Sequence, residues 1–191
     1  MVSIAIHQPN FIPWMPYFEK MAQVDKFVFL CNCQFEKRGY QNRFNLNNEW
    51  YTMSVYQNSC NNIIDQYYIN AKADFRKIKH KLPQYAKILN KLGERLEWPP
   101  NNLAVINKNI IAQIAEMLGI SREFYDDYPT GKKGTDRIID ICKRYEADVY
   151  LSGIGGKDYI DEGAFAKAGI KLKYQEIKDR RHSLEVLSAT I

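Results

Sequence analysis

Two short polar segments carry side chains that can catalyse reactions or bind anions, and each follows an apolar run. The first is His7-Gln8-Pro9-Asn10, directly after the apolar residues 2–6. A histidine at a strand end can donate to a phosphate, act as a general acid or base, or polarise a carbonyl. The amides of Gln8 and Asn10 add donors and acceptors. A structural histidine with satisfied hydrogen bonds is the alternative.

The second segment is a glycine-rich run over residues 151–159, which reads Leu-Ser-Gly-Ile-Gly-Gly-Lys-Asp-Tyr. Glycines permit positive φ and let backbone N–H groups converge on an anion. Ser152 adds a hydroxyl, Lys157 a positive charge and Asp158 a carboxylate. Neither the P-loop spacing nor the G-x-G-x-x-G spacing is present, so a plain strand-to-helix turn is the alternative.

A third candidate is the polar stretch over residues 34–43, which is rich in long hydrogen-bond donors. Lys37, Arg38 and Arg43 can clamp a pyrophosphate or a carboxylate. The amides of this stretch, Asn42 among them, can bind other amides or sugar hydroxyls. A solvated loop is the alternative.

Two strand–helix–strand patterns at the ends of the chain position the first two segments. Residues 2–6 and 27–30 are apolar strands on either side of an amphipathic helix. The second pattern has strands over 148–152 and 170–174 around a short helix over 161–168. Such crossovers join parallel strands, and ligands bind beyond the carboxyl ends of those strands. We therefore predict a Rossmann-like, three-layer α/β fold with both polar segments at one edge of a parallel sheet.

The chain between these patterns reads first as loop and short strands, and then as helices. In chain order we predict a loop over 32–48, strands over 50–55 and 63–69, helices over 74–92 (interrupted at Pro83) and 101–118, a connection over 121–129, and a helix capped by Thr135. The whole chain, residues 1–191, is predicted to be a single α/β domain with a largely helical insertion at about 74–120.

The amino-acid composition is typical of a folded globular protein. Of 191 residues, 27 are basic, 22 are acidic and 46% are hydrophobic, which is ordinary globular usage and excludes global disorder. No apolar run is as long as a transmembrane helix, and no basic region precedes the apolar N-terminus, so we expect a cytoplasmic protein. Only one close pair exists among the four cysteines, so we expect reduced thiols and no structural metal site. The cysteines are Cys31, Cys33, Cys60 and Cys142.

The net charge of +5 is concentrated in one segment. Residues 71–95, called the basic segment below, carry a net charge of +6. The basic residues there are Lys72, Arg76, Lys77, Lys79, Lys81, Lys87, Lys91 and Arg95. Such a segment favours phosphates, whether on a nucleotide, a sugar nucleotide or RNA. A solvated helix face is the alternative.

Three ordered blocks of residues resemble the WbqC-like protein family. They are 6–14 (IHQPNFIPW) with 17–20 (YFEK), Asp25 and 27–30 (FVFL); 34–35 (QF) with Lys37 and 41–43 (QNR); and 137–142 (RIIDIC) with 150–153 (YLSG), Gly156, Tyr159 and Asp161. The resemblance implies a bacterial protein of surface-polysaccharide biosynthesis, in the setting of O-antigen and lipopolysaccharide. It implies transfer of glycine, or a similar aminoacyl group, to an amino sugar.

The chain departs from the family pattern at two places. The resemblance implies an acidic pair just after the second strand, where this chain has Cys31 and Asn32. It also implies a longer C-terminal segment than one that ends at Ile191. If a carboxylate after the second strand takes part in the chemistry, this protein is expected to differ in activity.

We therefore predict a transferase that moves glycine or another aminoacyl group to an amino sugar or sugar nucleotide, with aminoacyl-tRNA as a candidate donor. The candidate catalytic residues are His7, Ser152 and Asp158. The candidate substrate-binding residues are Gln8, Asn10, Trp14, Lys37, Asn42, Arg43, Gly153, Gly156, Lys157 and Tyr159. The sequence specifies no cofactor and no oligomeric state.

Two alternatives stay open. The first strand, its histidine loop and the following helix and strand also resemble the start of nucleotidylyltransferase-type folds, which favours a nucleotidyl-transferring or nucleotide-binding enzyme. Binding of ATP or CTP that depends on Mg²⁺ would distinguish it. The basic segment favours instead a non-catalytic module that binds RNA or a biosynthetic complex, and salt-sensitive RNA binding would distinguish that one.

Overall fold

The structure is a computed structural model that describes residues 1–56, 62–97 and 101–190. The strands are β1 Ser3–His7, β2 Lys26–Phe29, β3 Arg43–Leu46, β4 Glu49–Thr52, β5 Val55–Tyr56, β6 Tyr67–Tyr68, β7 Glu123–Asp126, β8 Val149–Ser152 and β9 Lys171–Tyr174. The α-helices are α1 Met15–Ala22, α2 Ala71–Lys81, α3 Ala86–Gly93, α4 Leu103–Met117, α5 Gly134–Arg144, α6 Glu162–Lys167 and α7 Ser183–Ser188. Short 3₁₀ turns cover Ile63–Asp65, Pro83–Tyr85, Glu94–Glu97 and Ile154–Asp158.

Five strands form one sheet in the order β7-β2-β1-β8-β9. Every neighbouring pair in it is parallel. The two strand–helix–strand units at the ends of the chain therefore contribute to a single sheet, as predicted. The fold is α/β, with β1 at the centre of that sheet.

Alternating side chains of β1 explain why both faces of the sheet are covered. Ala5 packs into one buried cluster together with Phe18 and Met21 of α1. Ile4 and Ile6 point to the other face and belong to a second cluster, which includes side chains of α5 and α6. A parallel strand that is apolar on both faces requires helices on both sides.

Helix α1 has a proline in its first turn and packs one apolar face against the sheet. Pro16 lies in its first turn, where the missing N–H would have no intrahelical partner, and its ring presets φ. Tyr17, Phe18 and Met21 are buried against the sheet at helical spacing. Lys20 is buried on the same helix, and this charged residue among apolar neighbours is important for the site described below.

Two predictions for the connecting segments are wrong. Residues 121–129, expected to be a connection, contain β7, which forms the edge of the sheet beside β2. Residues 32–48, expected to be a loop, contain β3, which pairs with β4 in an antiparallel hairpin. The hairpin turns at Asn47 and Asn48, which have φ of +53° and +63°. Asparagine tolerates this left-handed region, and two such residues in a row match a tight hairpin turn.

The helical segments of the middle agree better with the prediction. The helix expected over 74–92 is divided at Pro83 into α2 and α3, and the helix expected over 101–118 is α4. The strand expected over 63–69 begins instead with a 3₁₀ turn over Ile63–Asp65, which is followed by the two residues of β6. The described residues of the middle thus include the short strands β3 to β6 as well as helices.

Thr135 does not cap α5, contrary to the prediction. The N-cap position is Lys133, and its side chain makes no capping hydrogen bond. The Thr135 hydroxyl instead accepts a hydrogen bond from the Asp161 N–H at 3.0 Å. Asp161 is the N-cap of α6, so this contact ties the start of α6 to the start of α5.

A buried amide connects α4 to the loops above β1. Asn107 is fully buried, and its Nδ2 donates to the Pro9 carbonyl at 2.8 Å and to the Gln41 carbonyl at 2.6 Å. Its Oδ1 accepts from the Tyr68 hydroxyl at 2.7 Å. Asn107 therefore holds the histidine loop and the polar stretch over residues 34–43 in a fixed relation.

Replacement of Asn107 by alanine is expected to lower the free energy of unfolding by about 2 kcal/mol, because three buried polar groups each lose a hydrogen bond. Urea denaturation followed by circular dichroism measures the change. Asn109→Ala, on the same helix and without comparable buried contacts, is the matched control and should change stability by less than about 0.5 kcal/mol. Equal stabilities for the two variants would show that the network does not hold the loops.

Candidate active site

The carboxyl ends of β1 and β8 separate from each other. The two strands pair at Ser3–Val149 and Ile4–Tyr150 and not beyond, whereas β1 pairs with β2 up to His7–Phe29. The first crossover places β2 on one side of β1, and β8 lies on the other side of β1. A parallel sheet binds ligands in the crevice at such a reversal of strand order.

Two neighbouring cavities lie at this crevice. The first, called the Lys20 cavity, has a volume of about 330 Å³ and is lined by His7, Trp14, Pro16, Tyr17, Lys20, Gly153, Ile154, Gly155, Gln175, Ile177 and Arg180. The second, called the Trp50 cavity, has a volume of about 420 Å³ and is lined by Asn10, Phe11, Ile12, Pro13, Trp14, Tyr40, Phe44, Asn45, Leu46, Asn47, Asn48, Trp50, Arg180, His182 and Glu185. Trp14 and Arg180 line both, so the cavities adjoin.

The C-terminal segment completes both cavities by returning across the start of α1. The Gln175 amide donates to the Pro16 carbonyl at 2.6 Å. The Met15 N–H donates to the Arg181 carbonyl at 3.0 Å, and Trp14 forms a β-bridge with His182. Arg180 is brought to the boundary between the cavities by these contacts.

His7 lies at the end of β1 and lines the Lys20 cavity. Its Nδ1 is 3.1 Å from the Gln8 carbonyl, which can only accept, so Nδ1 carries the proton and Nε2 has the free lone pair. Burial, with Lys20 nearby, lowers the pKa of His7 to about 3. His7 is therefore neutral at physiological pH and can accept a hydrogen bond at Nε2.

Lys20 is a candidate site residue that sequence reasoning missed. Only 3% of it is exposed, and burial lowers its pKa to about 7. Among the described residues, no carboxylate pairs with its ammonium group and no acceptor hydrogen-bonds to it. A detectable signal was present, because a lysine occupies a core-facing position of an otherwise apolar helix face.

Four of the predicted site residues line the cavities: His7, Asn10, Trp14 and Gly153. Asn10 has a buried Oδ1 without a hydrogen-bond partner in the described structure, and Trp14 is 44% exposed. Trp50, Arg180 and His182 line the Trp50 cavity, and sequence reasoning did not single them out.

Three other predicted residues have hydrogen bonds that shape the loops. Gln8 donates to the Cys33 sulfur at 3.3 Å. Asn42 donates to the Met53 carbonyl at 2.7 Å. Arg43 donates to the carbonyls of Gly39 and Arg38, and its guanidinium lies 3.9 Å from the centre of the Trp50 ring. Arg43 thus supports one wall of the Trp50 cavity from behind.

Ser152 lies beneath the glycine turn and away from both cavities. It is 1% exposed, and its hydroxyl donates to the Gly153 carbonyl at 3.0 Å. A Cβ on Gly156 would collide with the Ser152 side chain, so the absence of a side chain at Gly156 permits this close approach. The arrangement shapes the turn that carries Gly153 to the Lys20 cavity.

The four remaining predicted residues are exposed and line neither cavity. Lys37 lies in the polar stretch over residues 34–43, and Lys157, Asp158 and Tyr159 follow the glycine turn. The ammonium of Lys157 lies 5.2 Å from the centre of the Tyr174 ring. The structure does not bring these side chains together with His7.

The loop after β1 is strained next to the Trp50 cavity. Ile12 is fully buried and has φ of +43°, a region that β-branched residues rarely adopt. Such a conformation costs about 1–3 kcal/mol and persists only where the surroundings fix it. Backbone strain of this kind concentrates at functional sites.

The thiols and the basic segment lie outside the two cavities. Cys31 and Cys142 are buried and Cys33 is partly buried, all as free thiols, and Cys60 lies outside the described residues. In the described part of the chain, no group of three His, Cys, Asp or Glu side chains is arranged to hold a metal ion.

The basic segment covers α2 and α3, where Lys77 pairs with Asp74 and Lys81 with Glu49. The side chain of Arg95 is outside the described structure. Across residues 1–56, 62–97 and 101–190, no helix is long and apolar enough to span a membrane.

The fold is α/β, and two adjoining cavities open at the carboxyl edge of its parallel sheet. The chain belongs to the WbqC-like protein family, whose model matches residues 8–183. It is 30% identical over 190 residues to a protein of Mycobacterium tuberculosis named "Uncharacterized protein Rv1507c", with 91% of this chain and 82% of that protein covered. No solved structure gives a significant match.

Proposed function

We propose that the protein is a cytoplasmic transferase of surface-polysaccharide biosynthesis, in the setting of O-antigen, that moves glycine or another aminoacyl group to an amino sugar or sugar nucleotide. The observation that carries the proposal is the pair of adjoining cavities with unlike linings. A sugar nucleotide has an uncharged sugar part and a charged phosphate part, and two compartments that share Trp14 and Arg180 can hold one part each, with the aminoacyl group delivered at their boundary. Membership of the WbqC-like family supports the polysaccharide setting.

The Trp50 cavity has the lining expected for a sugar. Trp14, Tyr40 and Trp50 offer flat aromatic faces, on which the C–H face of a pyranose can pack. Asn10, Asn45, Asn47 and Asn48 offer amides for hydroxyl groups, and the buried Asn10 Oδ1 lacks a partner among the described residues. We assign the acceptor sugar to this cavity.

The transfer itself forms one bond and breaks one. The amine of the acceptor attacks the carbonyl carbon of the activated aminoacyl group, a C–N bond forms, and the bond to the leaving group breaks. The amine gives up a proton in this step, and the leaving group takes one up. His7 Nε2 has its lone pair free, so we assign to His7 the hydrogen bond that orients the attacking amine.

The strand order supports a Rossmann-like description of the fold as a single domain over residues 1–191. Numbered along the chain, the five strands follow the order 3-2-1-4-5, which is the dinucleotide-binding order 3-2-1-4-5-6 without its last strand. This observation also favours a second candidate function, a nucleotidyl-transferring or nucleotide-binding enzyme. The basic segment supports an aminoacyl-tRNA as the donor, because clustered lysines bind the phosphates of RNA.

The experiment is an acceptor assay with purified protein, amino-sugar nucleotides, and glycine supplied either as glycyl-tRNA or as a glycyl thioester. Mass spectrometry should detect one added glycyl unit on the sugar. Formation of a nucleotidyl product from ATP or CTP with Mg²⁺, and no glycylated sugar, would replace the proposal by the second candidate. No product from any donor would overturn the transferase assignment.

Loss of the aromatic wall should weaken acceptor binding specifically. Trp50→Ala is expected to raise the KM for the sugar by about fivefold, since a stacked ring contributes on the order of 1 kcal/mol. Trp50→Phe keeps a flat face and should restore most of the affinity. Tyr56→Ala removes an exposed ring that lines neither cavity and is the control. Equal KM values for wild type, Trp50→Ala and Tyr56→Ala would remove the sugar from this cavity.

A further inference from the structure

The Lys20 side chain is buried without a counter-charge. It is 3% exposed, and no described residue offers its Nζ a carboxylate or a hydrogen-bond acceptor. An unpaired buried ammonium is unfavourable in the folded protein, so the sequence retains it against stability. Its position on the wall of a cavity indicates that the missing partner comes from outside the chain.

The ammonium is directed at the turn after β8. Its Nζ would lie 3.9 Å from a Cβ on Gly153, and a Cβ on Gly155 would meet nothing within 4 Å. The cavity between helix α1 and this turn is therefore bounded by main chain on one side.

The charges around the Lys20 cavity have one sign. Arg180 enters from the C-terminal segment, and His7 borders the cavity from β1 in its neutral form. Tyr17, on the same helix as Lys20, is held in its neutral form because burial raises its pKa. None of the described lining residues is Asp or Glu, and Glu19 instead accepts from the N–H groups of Lys178 and Asp179.

We propose that the Lys20 cavity binds a phosphoryl group of the sugar substrate, with Lys20 Nζ and Arg180 as its charged partners. Two cationic side chains and no acidic residue among the described lining residues suit a group that carries more than one negative charge. Trp14 connects the cavity to the one that we assign to the sugar, so a diphosphate attached to that sugar can reach Lys20. The inference rests on the proposed function only for the identity of that sugar.

Binding of the anion should be linked to uptake of a proton. Burial lowers the pKa of Lys20 to about 7, and a bound anion raises it again because it favours the charged form. Above pH 7 the free protein carries Lys20 mostly neutral, so binding takes up a proton. Affinity then falls as the pH rises, by up to tenfold per pH unit.

The test is calorimetric titration with the symmetrical dimethyl diester of diphosphate, whose own charge stays constant between about pH 6 and pH 9. Wild type is expected to bind at pH 6.5 and to lose about tenfold in affinity at pH 8.5, with proton uptake visible as different heats in two buffers. Lys20→Met should bind at least tenfold more weakly at pH 6.5 and show no proton uptake. Lys171→Met, which removes an exposed lysine on β9, is the matched control and should behave as wild type.

The outcomes separate this inference from the proposed function. Undetectable binding to wild type, equal binding to Lys20→Met, or equal affinity for acetate and the diphosphate diester would each overturn the phosphoryl site. Binding through Lys20 without any aminoacyl transfer would overturn the proposed function and leave the site. Lys20→Met should unfold at a temperature no lower than wild type, because it removes an unpaired buried charge, so weaker binding would not reflect loss of the fold.

Discussion

Replacement of Asp127 by alanine is expected to destabilise the protein by about 3–5 kcal/mol, because it leaves a mostly buried guanidinium without its counter-charge. The Asp127 side chain is fully buried and pairs with Arg137, which is 15% exposed. It also accepts from the Cys31 N–H at 2.8 Å, and from the Asn32 N–H and Nδ2 at 3.1 Å and 3.0 Å. Removal of one carboxylate therefore leaves several buried donors unsatisfied.

The neighbouring residue provides the control. Asp126 also forms an ion pair, with Lys108, but its side chain is 58% exposed. Asp126→Ala is therefore expected to cost less than about 1 kcal/mol. Equilibrium urea unfolding of the two variants measures the contrast. A loss below about 1 kcal/mol for Asp127→Ala, or equal losses at the two positions, would contradict the role assigned to the buried pair.

Replacement of His7 by alanine is expected to lower aminoacyl transfer by about 100-fold or more while the fold stays intact, because the attacking amine loses the group that orients it. The measurement is kcat in the acceptor assay, with the circular dichroism spectrum as the test of folding. His80→Ala removes an exposed histidine of α2 and is the matched control. Turnover close to wild type in His7→Ala would remove His7 from the mechanism.

The pH dependence of turnover supplies an independent check on His7. A histidine with a pKa of about 3 is neutral throughout the range from pH 5 to pH 8. The pH profile of turnover in the wild type should therefore show no fall below about pH 6.5 that depends on His7. A fall seen in the wild type and lost in His7→Ala is not expected. Such a limb would mean that the ring titrates as an ordinary exposed histidine and that its environment differs from the one described.

The residues directly after β2 are held by a carboxylate from a neighbouring strand. The resemblance leads us to expect an acidic pair there, and this chain has Cys31 and Asn32 instead. Asp127, which follows β7, brings a carboxylate to the same place from a neighbouring strand and accepts from both backbone N–H groups. Because these bonds and Arg137 occupy Asp127, the carboxylate here is structural.

Long periodic segments were predictable because their own side chains decide them. β1, α1 and β2 are apolar at the spacing of strands and helices, and the same is true of α4 and β8. The interruption between α2 and α3 follows from Pro83, which cannot continue a helix. Parallel pairing in both end units follows from the length of the crossovers.

Shorter elements were not predictable because their pairing partners decide them. β7 has a half-exposed Glu-Phe-Tyr-Asp sequence without clear alternation, and its pairing with β2 makes it a strand. β3 was hidden in a polar stretch, although the two asparagines of its turn were a usable signal. Thr135 has the residue type of an N-cap, but its hydroxyl is used by α6.

For the site, the sequence by itself predicted that His7 and the glycine turn lie at one edge of a parallel sheet, because strands joined by crossovers run parallel and their carboxyl ends meet at the same edge. Only the tertiary structure decided which side chains line the crevice. It buried Lys20, turned Ser152 away from the cavities, and brought Arg180 back from the C-terminal segment. The physical reason is that burial of a side chain depends on segments far apart in the chain that pack against it. The periodicity of apolar residues depends only on residues close together in the sequence.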